Sequence, residues 1–212
     1  MYFKNRYDAA MQLIPLLKKY KNEEGIILAV PRGGVPIAYY IAKEYGFPLD
    51  LLMTKKLGHP FSPEYAIGSV SMESSFVENK HDIPEDYIKE ETQRILQQLK
   101  ERYKRFMGNK EPLSLRNKTV LIIDDGIATG LTILGMIKIL RQQHPKKIIV
   151  AVPVAPRESA IRIKELVDDF ICVHIPKTFY GVGMFYNDFS EVSDDDVISY
   201  LNELNERKVS AY

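Results

Sequence analysis

Five short, mainly apolar runs punctuate the chain, at residues 25–30, 49–54, 119–123, 147–152 and 170–174. Each is too short for a helix and lacks a two-residue alternation, so each predicts a strand buried on both faces. The segments between them carry apolar residues at helical spacing. They predict helices over 35–45, with Pro36 tolerated in the first turn, over 131–143 and over 157–166. Strand and helix alternating from residue 25 to 174 predict a mainly parallel, twisted α/β sheet with helices on both faces. Residues 54–119 interrupt this rhythm. They open on the polar stretch Lys55-Lys56-Leu57-Gly58-His59-Pro60 and continue through an irregular hairpin over 67–77. They end in a long charged helix over 84–107, striped by Ile88, Ile95, Leu96, Leu99 and Tyr103.

Two further helices flank this core. Asn5 is positioned to cap one that runs to Tyr20, with Ala9, Leu13, Leu16, Leu17 and Tyr20 on one face and Pro15 predicting a kink or break. Ser193 is positioned to cap the other, with Asp194, Asp195 and Asp196 in its first turn, where carboxylates are favoured. The expected layout is one domain over 1–212. Its core spans about 21–175, and a small hood formed by 1–20 and 176–212 covers one sheet edge.

Composition narrows the function classes. Apolar residues are 45% and charged residues 27% of the 212, a globular balance. A net charge of +1 gives no bulk attraction to nucleic acid or membrane, so an anionic substrate needs local positive charge. A single cysteine, Cys172, excludes an internal disulfide and reads as a buried small hydrophobe. The N-terminus lacks the apolar stretch of a signal peptide, and the expected location is the cytoplasm. His59, His81, His144 and His174 show no metal-ligand spacing, and Ser69 lacks the glycine pattern of a nucleophile elbow.

The informative chemistry follows the strand over 119–123. There the chain reads Asp124-Asp125-Gly126-Ile127-Ala128-Thr129-Gly130-Leu131-Thr132. Two carboxylates leave the carboxyl end of a buried strand, where open α/β sheets bind ligands. Gly126 and Gly130 allow close backbone approach, Thr129 and Thr132 offer hydroxyls, and the next helix begins with unpaired amides. That suits a phosphate. A helix end contributes only about 0.3–2 kcal/mol, so several donors must act together. The spacing fits neither a Walker A loop nor a dinucleotide fingerprint. Acidic residues beside a phosphate site make sense if the ligand also carries hydroxyls, as a ribose 5-phosphate does.

This segment resembles the 5-phosphoribosyl-1-pyrophosphate (PRPP) motif of type I phosphoribosyltransferases, apart from Gly126, where many members carry an aliphatic residue. The chain is similar to an uncharacterised subfamily that pairs a PRGG loop with a DDGIATG loop. The resemblance implies the type I phosphoribosyltransferase fold. It assigns the ribose hydroxyls to Asp124 and Asp125, and the 5′-phosphate to Gly126, Ile127, Ala128, Thr129, Gly130 and Thr132. Pyrophosphate falls to Arg32, Gly33 and Gly34, with a candidate cis peptide at Pro31–Arg32. Lys55 and Lys56 resemble a basic pair of adenine-type members that neutralises departing pyrophosphate. The segment from Pro63 to Gly68 resembles their mobile catalytic loop, with Glu64 handling a base proton and Tyr65 closing over pyrophosphate. The aromatic stretch from Phe179 to Phe189 resembles the hood of hypoxanthine-guanine-type members, so Phe179, Val182, Phe185 and Tyr186 are expected at the acceptor.

The implied reaction moves the 5-phosphoribosyl group from PRPP to a nitrogenous acceptor, releasing pyrophosphate. Mg²⁺ would be held mainly by PRPP, with Asp124 or Asp125 reaching it through water and no direct protein ligand. The resemblance also implies a homodimer. Ala128 stands where hypoxanthine-guanine enzymes carry an aspartate, and Val152-Pro153-Val154-Ala155-Pro156 lacks their lysine, which disfavours a 6-oxopurine acceptor. Two other readings stay open: a non-catalytic PRPP- or nucleotide-binding regulator, and a PRPP-directed hydrolase.

Overall fold

A computed structural model describes residues 2–72, 74–77 and 83–209. His81 and the last residues of the expected hood lie outside that set. Five strands, β1 (Gly25–Ala29), β2 (Leu49–Leu51), β6 (Thr119–Ile123), β7 (Lys147–Val154) and β8 (Asp169–His174), form a fully parallel sheet in the order β2-β1-β6-β7-β8. Helices α2 (Gly34–Tyr45), α4 (Leu131–Arg141) and α5 (Arg157–Lys164) make the crossovers.

The strands alternate faces, and each face has its own core. Ile27, Leu121, Ile123, Ile149 and Ala151 pack with Ile37 and Ile41 of α2. Ile26, Val120, Ile122, Ile148 and Val150 pack with Ile133, Met136 and Ile137 of α4 and Ile163 of α5. Double-sided burial accounts for the unbroken apolar runs.

Helix α1 (Arg6–Leu13) is capped by Asn5, whose side chain accepts the Asp8 amide at 3.0 Å. The predicted break at Pro15 is present: the chain tightens into a 3₁₀ helix over Ile14–Tyr20. The shorter repeat keeps Leu17 buried but turns Leu16 out, 45% exposed, off the predicted face. α1 lies against one face of the sheet, and its first residue, Arg6, reaches Asp125 just beyond the carboxyl end of β6. Its small and branched residues Ala9, Ala10 and Leu13 are fully buried, and it packs on α2 and on the β7–β8 end of one face. The final helix, α6 (Asp194–Val209), is capped by Ser193 in exchange with Asp196 and rests on α2 and α3 (Glu85–Met107). The two flanks are stitched together. Phe3 bridges Tyr186 in parallel, the Phe3 amide donates to the Phe185 carbonyl, and the Asn187 amide donates to the Phe3 carbonyl.

The polar stretch after residue 54 is more ordered than its composition predicts. β3 (Thr54–His59), β4 (Ser62–Ser71) and β5 (Ser75–Val77) form a separate antiparallel sheet that packs on α3 and α4. Tyr87 ties it to α3 by donating its hydroxyl to the Gly58 carbonyl at 2.9 Å.

At the amino edge of the parallel sheet, acids are matched with bases. Glu23 accepts from Lys147 at 2.6 Å and from the Thr119 hydroxyl, Glu24 pairs with Lys118 at 2.7 Å, and Asp169 pairs with Lys19 at 2.6 Å. Among the described residues no helix is long and apolar enough to cross a membrane.

Candidate functional site

The strand order reverses between β1 and β6, the place where a crevice opens at the carboxyl edge of a parallel sheet. The two strands end flush, Ala29 opposite Ile123, and the Val30 amide donates to the Ile123 carbonyl at 2.9 Å. The loop over 31–34 and the loop over 124–130 therefore leave the sheet side by side.

Glycine makes their approach possible. A Cβ on Gly34 would stand 2.6 Å from the Ile123 carbonyl oxygen, and one on Gly33 would stand 2.0 Å from Asp125 Oδ2. A side chain at position 34 would push the loops apart, and one at position 33 would displace the Asp125 carboxylate. The Pro31–Arg32 peptide is cis, as the resemblance implies. Arg32 pairs with Glu191 and, at 3.5 Å, with Asp194, which Arg105 also reaches at 2.9 Å. The acidic start of α6 thus rests on the arginine expected at pyrophosphate.

The two carboxyl-bearing residues are neighbours in the chain and in space. Asp124 Oδ1 accepts the Asp125 amide at 2.8 Å. Burial pushes the Asp124 carboxyl well above the usual range, and the negative charge of Asp125 pushes it further. Burial also raises Asp125, against the opposing pull of the Arg6 guanidinium. Arg6 donates to Asp125 Oδ2 from Nε at 2.9 Å and from Nη2 at 2.8 Å. Tyr186 donates its hydroxyl to the Asp125 carbonyl at 2.6 Å.

The loop from Gly126 is held from outside. The Ile127 amide donates to the Val154 carbonyl at 2.9 Å and its side chain is buried, so it anchors the loop; its amide is already used and is not available to a phosphate. Ser159 donates to the Ala128 carbonyl at 2.9 Å, and Arg162 donates to the Thr129 carbonyl at 2.7 Å. Those carbonyls therefore turn toward α5. Ala128, Thr129 and Thr132 are exposed, and Gly130 takes the left-handed conformation, φ 74°, at the start of α4.

The expected acceptor residues divide. Val182 lies over Gly126, where a Cβ would stand 2.5 Å from Val182 Cγ1. The glycine that departs from the family pattern makes room for the hood. Phe179 stacks on Phe185, centroids 5.6 Å apart, and both are partly buried. Tyr186 belongs to the core instead. It is 2% exposed, its ring lies between Phe3 and Phe189, and its hydroxyl is committed to Asp125, so it offers no stacking face.

Lys55, Lys56, Glu64 and Tyr65 stand apart on the antiparallel sheet. Lys56 pairs with Glu64 at 2.7 Å, Lys55 donates to Gln98 at 2.9 Å, and Glu64 and Tyr65 are exposed. Among the described residues, no hydrogen bond or ion pair joins these four to the 124–132 loop or to Arg32. Burial pushes the Cys172 thiol up to about 11, in keeping with an inert cysteine. No group of three acidic, histidine or cysteine side chains among the described residues is arranged to hold a metal.

Sequence reasoning missed Arg6 and the anchoring role of Tyr186. One signal was present for Arg6: a cation in the first turn of a helix, where the helix dipole disfavours it, needs an acidic partner from elsewhere.

Comparison with known proteins agrees with this geometry. A family model described as phosphoribosyl transferase domain matches residues 4–187. Two curated proteins of Mycobacterium tuberculosis, each provisionally named phosphoribosyl transferase, are 33% identical over 205 residues, 94% of this chain and 46% of theirs. The chain thus spans about half the length of the curated relatives it matches. The crystal structure of TT1426 from Thermus thermophilus superposes with a TM-score of 0.85 at 31% identity, covering 96% of this chain and 99% of that one. A Neisseria gonorrhoeae protein crystallised with bound ppGpp shares the fold at 16% identity and a TM-score of 0.50, over 98% of this chain and 96% of its own.

Proposed function

The chain belongs to the phosphoribosyl transferase family, and from that premise we propose that it transfers the 5-phosphoribosyl group of PRPP to a nitrogenous acceptor. The observation that carries this reading is the flush exit of two glycine-bearing loops, one basic and one acidic, at the reversal in strand order. One ligand that is anionic at both ends and hydroxylated between them suits both loops.

In this reading the amides and hydroxyls of Ala128, Thr129, Gly130 and Thr132 hold the 5′-phosphate, and the start of α4 adds its dipole. Holding the phosphate far from the reacting carbon turns remote binding into positioning. Asp124 and Asp125 accept the ribose hydroxyls. Arg32 takes the pyrophosphate, which displaces Glu191 and Asp194, and Gly33 and Gly34 let the backbone approach it. The bond from ribose C1 to the pyrophosphate oxygen breaks and the acceptor nitrogen bonds to C1, through a sugar with oxocarbenium character. Glu64 takes the acceptor proton and Tyr65 closes on the pyrophosphate once the exposed tip of the β3–β4 hairpin bends over the sheet edge, and Lys55 and Lys56 at its base supply positive charge. Phe179, Val182 and Phe185 form the acceptor wall.

The donor set also suits Mg²⁺, which takes few carboxylates and keeps its waters. Asp125 is already paired with Arg6, which leaves Asp124 as the carboxyl to reach the ion. When bound, Mg²⁺ would neutralise charge on the departing pyrophosphate.

The test is to incubate the protein with PRPP, Mg²⁺ and a panel of nucleobases and follow pyrophosphate. Release that depends on a base is the expected result. Release without a base would indicate a hydrolase, and binding without turnover would indicate a sensor.

A further inference from the structure

The Arg6 guanidinium is engaged through all three of its nitrogens and by one aromatic ring. Nε and Nη2 both donate to Asp125 Oδ2, Nη1 donates to the Ser190 carbonyl at 2.8 Å, and the group lies 4.1 Å over the Phe189 ring. Arg6 and Asp125 are 12% and 13% exposed, so the pair is largely withdrawn from water. Local helix physics does not favour an arginine here, because the first turn of α1 is the positive end of its dipole. The residue is held by contacts across the fold, and its partner lies 119 positions away.

Asp125 is confined from the other side as well. Its Oδ2 occupies the space left by the missing Gly33 side chain, and its carbonyl accepts the Tyr186 hydroxyl. N-terminal helix, hood and the 31–34 loop therefore converge on one residue, Asp125, and Arg6 is the charged contact among them.

We infer that Arg6 is a positioning residue that acts through Asp125, fixing that carboxylate for the ribose 2-hydroxyl. The inference rests on the reading of Asp124 and Asp125 as the ribose site. Arg6 itself touches no substrate. Because Arg6 also binds Ser190 and Phe189, the hood shares in orienting the guanidinium toward Asp125.

A purely structural arginine would weaken every ligand alike when removed, whereas a positioning residue alters discrimination between sugars. The experiment titrates the full chain, with Mg²⁺, with ribose 5-phosphate and 2-deoxyribose 5-phosphate. Wild type is expected to prefer ribose by about tenfold, the scale of a hydrogen bond to a charged group. Arg6→Gln should abolish most of that preference and leave the deoxy sugar within about twofold, since its phosphate contacts persist. Arg6→Lys, which keeps the charge and loses the fork, should recover part of the preference. If Arg6→Gln does not fold, Arg6→Lys and Phe189→Leu carry the same comparison, each with a smaller loss of preference. An equal loss for both sugars, or no change in either, would overturn the inference while the ribose site stood. A wild type that binds both sugars without preference, or neither, would remove the ribose reading and the inference with it.

Discussion

The two edges of the parallel sheet treat carboxylates in opposite ways. At the amino edge, hydrogen bonds from Lys147 and then Thr119 pull Glu23 down to about 2, and Glu24 and Asp169 are also lowered, the first by its bond to Lys118 and the second by bonds from Lys19 and Tyr20 that outweigh burial. At the carboxyl edge, Asp124 and Asp125 are raised by burial, with a single arginine for two acids. The amino edge is electrostatically complete. The carboxyl edge leaves two buried carboxyls raised together, the kind of perturbation that clusters at functional sites.

The largest effect expected is from Gly34→Ala. The new Cβ meets the Ile123 carbonyl and the Asp124 Cα, backbone that cannot swing aside. It should cost about 1–3 kcal/mol of stability, read by denaturant unfolding, and reduce PRPP affinity about 100-fold, read by calorimetry. Next, Asp124→Asn should weaken PRPP about tenfold or more yet raise the melting temperature at neutral pH. The sign follows from linkage. A folded-state carboxyl raised above its unfolded value contributes stability at low pH, and that contribution is lost as pH rises through the folded value. The melting temperature of wild type minus that of the variant should therefore fall with rising pH. A difference that rises instead would contradict the contrast between edges.

Glu64→Ala tests the hairpin. Turnover with an acceptor should drop about tenfold while PRPP affinity stays within about threefold, and the melting temperature should not move, because the Lys56–Glu64 pair is exposed. Glu23→Gln should be the mildest, lowering the melting temperature by about 1–3 °C. Its pH dependence runs opposite to that of Asp124. The contribution is present above the ordinary glutamate value and fades as pH falls from there toward about 2. Equal slopes for the two variants would erase the comparison.

The core was legible because its signals are local. Val120–Ile123 is apolar without interruption because both faces of β6 are covered, and Asp124 to Gly130 follow it directly in the chain. Arg32, Gly33 and Gly34 stand in the same relation to β1. The hairpin was harder to read. Ser62 to Ala66 of β4 are exposed, and burial begins only at Ile67, so no alternation marks the strand there. Arg6 was illegible as a site residue because the pairing depends on how the N-terminal helix docks, which no spacing within the chain encodes. Tyr186 looked like one more ring in an aromatic hood. Its burial follows from the bridge to Phe3, a contact across nearly the whole domain.

That bridge has a consequence for synthesis. Sheet strands β1, β6, β7 and β8 can pair as soon as each emerges from the ribosome, yet residue 3 must wait for residue 186 and Arg6 for Ser190. The corner where Arg6, Asp125 and Tyr186 meet is therefore finished last in the life of the nascent chain. A stalled or truncated product ending short of the hood would carry a nearly whole sheet and an Asp125 without its Tyr186 contact.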